Sequence, residues 1–145
     1  MIEPLIISSS LLLGKEVLTQ TVTTTTKNIY NGINSILLNR HFEFKKILNN
    51  LDINTKLDII EQFIKDINYT SLSQSSIKIL KYLKENIILI NNEIVNINNE
   101  ILNHKTKWFS SLRTSNCHEM IINLTYHVQI LDDRFNLLIK LINYK

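Results

Sequence analysis

Cys117 and His118 stand side by side, with His104 upstream and His127 downstream, and His, Cys and Asp are the residue types that hold zinc or do nucleophilic work. Zinc needs four well-arranged ligands, or three and an exchangeable one. Neighbours on a helix point about 100° apart, so Cys117 and His118 diverge, and no fourth ligand stands at diagnostic spacing. A Cys–His nucleophile fails for the same reason, because it requires facing side chains and a third group to orient the base. Cys117 near a helix start has at most an activated thiol. Asp132 and Asp133 are also adjacent and cannot face each other as a catalytic pair. Neither Gly14 nor Gly32 lies in a phosphate-cradling loop. The expectation is no enzyme: no catalytic residue, no metal site and no cofactor.

One cluster has the chemistry of a surface. Lys105, Lys107 and Arg113 surround Trp108 and Phe109, with His104 beside them. The cations suit phosphates or an acidic protein face, and Trp108 offers a stacking platform. The plainer reading is that Trp108 and Phe109 close the end of a bundle, while the cations favour a helix C-terminus. Lys105, Lys107, Trp108, Phe109 and Arg113 form the candidate interaction surface.

The elements that would carry this cluster are written in two heptad ladders. Leu80, Leu83, Ile87, Ile90, Ile94, Ile97 and Ile101 alternate spacings of three and four, as do Ile121, Leu124, Val128, Leu131, Phe135, Leu138 and Ile142. That period keeps one helical seam against a partner; a strand would need a period of two. The first ladder predicts a helix over 75–109, capped by Ser73 or Ser75, and the second a helix from about 117 to 143, with Asn116 and Glu119 at capping-box spacing. A short connection over 110–115 makes them an antiparallel hairpin. Ile88, Val95, Leu102 and Phe109 add a second stripe beside the first ladder, which predicts two neighbours for that helix.

Upstream, the apolar spacing is less regular. Leu11, Leu18, Val22, Ile29, Ile33 and Ile36 share a face, continued by Phe44 and Leu48, so residues 1–48 read as one helix or two. The β-branched run Thr23 to Thr26 favours a break before Lys27, with a firm helix from there to Leu48 ended by Asn49 and Asn50. Thr55 and Asp58 have capping-box spacing for a short helix carrying Leu57, Ile60, Phe63, Ile64 and Ile67.

Composition bounds the rest. The 145 residues and 17.0 kDa suit one domain, and 44% hydrophobic content supplies a core. Two Gly and one Pro, Pro4, leave few helix breakers. There are 25 Ile and 19 Asn, neither a strong helix former, so packing must decide the fold. Sixteen Lys and Arg against 13 Asp and Glu give a net charge of +3 spread along the chain, unlike the concentrated charge of a dedicated nucleic-acid binder. A single cysteine and no cleavable leader point to a reducing, cytoplasmic setting. Residues 1–14 are apolar but have only Lys15 near them, so membrane contact there is not favoured.

The stretch Asn103-His104-Lys105-Thr106-Lys107-Trp108-Phe109-Ser110-Ser111-Leu112-Arg113, followed by Ile130-Leu131-Asp132-Asp133-Arg134-Phe135-Asn136-Leu137-Leu138, resembles uncharacterised small helical proteins of large (giant) DNA viruses. The resemblance covers about the last two-thirds of the chain, including residues 51–67. It implies an infected-cell cytoplasmic or virion location and carries no catalytic assignment.

The expected fold is all-α: an elongated bundle of four or five helices with a long C-terminal antiparallel helical hairpin. It forms a single helical domain over 1–145, with 1–26 a less firmly packed segment. The expected function is a non-enzymatic structural or protein-interaction protein, self-associating through apolar helical faces. The alternatives are a nucleic-acid-binding accessory protein using the basic hairpin tip, together with Lys45 and Lys46, and a membrane-associated helical protein.

Overall fold

The computed structural model describes the backbone of residues 3–40, 42–106 and 117–143, and the side chains of 14–40, 42–103 and 117–143. Among them the regular structure is entirely helical: α1 (Glu3–Leu37), α2 (Lys45–Leu51), α3 (Ile53–Asp66), a single 3-10 turn (Tyr69–Ser71), α4 (Gln74–Thr106) and α5 (Cys117–Asn143). The 33 residues of α4 span about 50 Å at the helical rise, so the bundle is elongated.

Helix directions follow from the cross-links. Lys15 Nζ donates to the Ile67 carbonyl at 2.9 Å, Thr23 Oγ1 to Glu61 Oε1 at 3.4 Å and Tyr30 Oη to the Asn54 carbonyl at 3.2 Å, which makes α1 and α3 antiparallel. The 3-10 turn leading into α4 also packs on α1, while Gly32 further along meets Ile94 and Asn98; α1 and α4 are therefore parallel. The most extensive contact is α4 on α5, the expected C-terminal hairpin, and the next is α1 on α4. Lys56 and Asp132, 3.0 Å apart, and an edge-on Phe63–Phe135 pair join α3 to α5.

Both ladders face the core. Leu80, Leu83, Ile87, Ile90, Ile94 and Ile97 are buried, as are Ile121, Leu124, Val128, Leu131 and Leu138; Ile101 and Ile142 at the ladder ends, and Phe135 within the second ladder, are half-buried. Opposite them α1 buries Leu18, Val22, Ile29, Ile33 and Ile36, and α3 buries Ile53, Leu57, Ile60 and Ile64. Each such side chain contributes roughly 1.5–3 kcal/mol when fully removed from water, which outweighs the weak helix propensity of Ile and Thr.

Several boundaries depart from expectation, each for a physical reason. No break precedes Lys27: α1 runs straight through the Thr run, with Thr26 buried at 1% exposure and Thr23 bonded to α3. Nor does that helix reach Leu48. It stops at Leu37, because continuing the seam of Ile33 and Ile36 by seven residues would bury Arg40 and Glu43. The chain turns instead through backbone bonds from Leu38 N–H to Asn34 and Asn39 N–H to Ile36, burying Phe42 and then Leu48 of α2. Asn49 and Asn50 consequently lie inside α2.

Thr55 is not the cap of α3. The helix starts at Ile53, itself 2% exposed, and the residue before it, Asp52, adopts the left-handed conformation with φ 51° and no side-chain cap. Asp tolerates that region better than most residues. Asp52 thereby bends one apolar stretch into α2 and α3. Ser73 does cap α4, its Oγ accepting from Ser76 N–H at 3.1 Å. The expected cap Asn116 lies outside the described residues.

Candidate interaction surface

Of the five residues in the basic tip, Lys107, Trp108, Phe109 and Arg113 lie outside the described residues, and Lys105 is described only as backbone in the last turn of α4. The other candidate reactive groups do not converge among the described residues, and the His104 side chain lies outside them. Cys117 is buried at 2% exposure, whereas His118 is exposed and stacks on Phe44 with ring centroids 5.6 Å apart. Asp132 is committed to Lys56, and Asp133 is exposed. No group of three or more His, Cys, Asp or Glu side chains positioned to hold a metal occurs among the described residues. No helix among them is long and apolar enough to cross a membrane.

What the helices do bring together is a polar cluster within the α4–α5 seam. Asn86, 1% exposed, donates through Nδ2 to the His127 carbonyl at 3.3 Å and accepts Arg134 Nη1 at its Oδ1. The same guanidinium nitrogen donates to the Tyr82 carbonyl at 3.1 Å, and the Arg134 guanidinium lies 5.3 Å from the Tyr82 ring centre, a cation–π distance. A buried Asn in an apolar seam fixes register, because any slip leaves its amide unpaired. No sequence pattern flagged this cluster; Asn86 is one of 19 Asn, and Arg134 follows two acids.

The α1–α4 contact is built differently. A Cβ at Gly32 would overlap Ile94 Cγ2, so only glycine permits this approach. Asn98 Nδ2 bridges the helices, donating to the Gly32 carbonyl at 3.0 Å and to Ile94 of its own helix at 3.2 Å. Along the outer side of α1 and α3, Lys15, Thr19, Thr23 and Lys65 border an open groove, with Lys65 held by Glu61 at 2.9 Å. That groove gathers no nucleophile–base pair. Tyr30 ionises above the ordinary tyrosine value, through burial first and then the charges of Asp58 and Glu61; Tyr69 shifts the same way through burial. Neither tyrosine is an acid or base near neutral pH.

Large apolar side chains remain outside the core in two groups. Helix α4 has the two neighbours its second stripe predicted, α5 and α1, and Ile88 of that stripe is half-buried, but Val95 and Leu102, which flank Asn98 on the α1 side, stay open, 46% and 60% exposed. Around Arg134, Tyr82 and Leu89 of α4 lie with Tyr126, Leu137 and Leu141 of α5, all exposed. Scattered single apolar residues need no explanation, but a contiguous group marks an interaction surface. Comparison with protein-family models, curated proteins and solved structures finds no match. The class defined by fold and surface is an all-helical bundle with exposed apolar patches.

Proposed function

We propose that this chain is a non-enzymatic structural or interaction protein that associates, chiefly with itself, through helix faces left outside its core. The observation that carries the reading is the exposed apolar group on the C-terminal hairpin, with Tyr126 at 62% and Leu137 at 50% exposure on a helix whose other face packs into the core. Contact between such faces is driven by apolar burial, which salt does not screen. A cytoplasmic setting rests on the single cysteine, and an infected-cell or virion setting on the resemblance to proteins of large DNA viruses.

The nucleic-acid reading has one observation in its favour. Lys45 and Lys46 open α2, which packs against α5, and Phe44 beside them stacks on His118 in the first turn of α5, the end where the basic tip joins. Light scattering coupled to size-exclusion chromatography, over a range of salt and with and without added DNA or RNA, separates the two. A self-complex that persists in high salt supports association through apolar faces. A monomer that binds nucleic acid with a steep loss of affinity on adding salt replaces that reading with the basic tip.

A further inference from the structure

We propose that Asn31 is a site of spontaneous covalent modification, closed while α1 rests on α4 and opened when that contact is lost, and that its isoaspartate product prevents the contact from re-forming. Of the 19 Asn only Asn31 precedes a glycine, and that glycine is Gly32, the residue whose missing Cβ admits Ile94. The packing of α1 on α4 therefore requires the one residue type that leaves the backbone nitrogen after Asn31 unshielded.

The chemistry needs water alone. The Gly32 backbone nitrogen bonds to the Asn31 Cγ and gives up its proton. The C–N bond of the carboxamide breaks and ammonia leaves with that proton, which closes a five-membered succinimide. Water then adds to one of the two ring carbonyls. Attack at Cγ breaks its new bond to the Gly32 nitrogen and gives aspartate in an ordinary chain. Attack at the backbone carbonyl breaks the original peptide bond instead. The product is isoaspartate, whose chain runs through Cβ and Cγ and is one atom longer.

The fold stands in the way of the first step. Asn31 and Gly32 lie inside α1, where residue 31 has helical φ and ψ and the Gly32 N–H serves the helix ladder. Ring closure needs that ψ rotated away and the N–H released, so α1 must open locally. Gly32 is also pinned by α4: its carbonyl accepts Asn98 Nδ2 at 3.0 Å, and Ile94 Cγ2 occupies the place a Cβ would take. Asn31 itself is exposed, so the restraint on it comes through the backbone.

The two products differ in consequence. Aspartate leaves the main chain unchanged and puts a carboxylate at an exposed position. Isoaspartate inserts an atom immediately before Gly32, which moves the Gly32 carbonyl from Asn98 and interrupts the helix ladder. A transient opening of α1 at this contact thus becomes a permanent loss of it.

The test holds the full chain at mildly alkaline pH in buffer and in guanidinium chloride, follows residue 31 by peptide mapping, and then dilutes the denaturant. Asn31 is expected to lose ammonia at least about tenfold faster in denaturant, because in buffer only the locally open fraction can close the ring. After dilution the isoaspartyl chains are expected to fall short of the parental melting temperature. Asn31→Asp, which carries the charge without the longer chain, and Asn31→Gln, held in denaturant alongside, are expected to reach it. Rates that agree within about twofold in the two conditions would overturn the guarding role of the fold. Isoaspartyl chains that melt like the parent, or Asn31→Gln chains that lose refolding as far as the parent does, would place the damage elsewhere and overturn the proposal.

Discussion

The two faces by which α4 is held show two ways of packing one helix. Against α5, α4 presents an Ile and Leu ladder met by an equivalent ladder, interrupted by the polar pair Asn86 and Arg134. Against α1, it approaches glycine: Gly32 lets Ile94 into the backbone, and Asn98 ties the two helices through a carbonyl. The first contact draws its energy from many interchangeable side chains and its register from one amide. The second depends on the absence of a single Cβ. Ladders tolerate conservative exchange, while a close approach does not.

The largest expected effect lies where the two contacts meet. Ile94 is fully buried in the ladder and is also the residue that Gly32 admits, so Ile94→Asp should destabilise the fold by about 3–5 kcal/mol through a carboxylate with no route to water. Denaturant unfolding checks this; a parental midpoint would remove Ile94 from both contacts.

Gly32→Ala sharpens the comparison. Its methyl group must displace Ile94, at about 1–3 kcal/mol. Gly14→Ala, where nothing lies within 4 Å, should instead raise stability by up to about 1 kcal/mol through helix propensity. Equal effects at the two glycines would remove the close approach at Gly32 that sets the α1–α4 contact apart.

Asn86→Ala should cost about 1–2 kcal/mol by leaving the Arg134 guanidinium and the packed seam unmatched. Combined with Arg134→Ala the losses should be less than additive, because each single change already breaks the shared bond. Strict additivity in that double-mutant cycle would mean that the pair does not hold register. At the bend, Asp52→Val should cost about 1–2 kcal/mol and Asp52→Gly little, read from thermal melts, because only the left-handed backbone distinguishes them.

The smallest effect is alkaline. Tyr30 and Tyr69 have folded pKa values raised above the unfolded value near 10. A raised folded pKa means that the protonated phenol stabilises the fold. That stability is present in full below pH of about 10 and is lost as the pH rises through the folded value. Tyr30→Phe with Tyr69→Phe should flatten the decline in melting temperature above pH of about 10; an unchanged slope would assign it elsewhere.

The same contrast explains what could be read from the residues. A ladder repeats, so the α4–α5 hairpin was legible from Leu80 to Ile142 without a structure. A close approach does not repeat, and nothing in the sequence around Gly32 names Ile94, 62 residues away, as the side chain that fills its space. The end of α1 was legible but easily missed: Arg40 and Glu43 occupy the positions where the seam of Ile33 and Ile36 would continue, while Phe44 and Leu48 suggested a longer helix. Asp52 lacked the usual glycine signal for a left-handed residue, and Thr55 offered a competing cap three residues too late. The outer α5 stripe was hidden by the stronger inner ladder on the same helix. The basic tip was the most conspicuous cluster in the sequence, and four of its five residues lie outside the described residues.

That this chain works by association through its outer helix faces is tested most directly by its mass in solution. Sedimentation equilibrium of the unmodified chain, at physiological and high salt over a wide range of protein concentration, should give a mass rising from 17.0 kDa towards that of a dimer in both salts. A mass fixed at 17.0 kDa across every concentration and both salts would contradict the account.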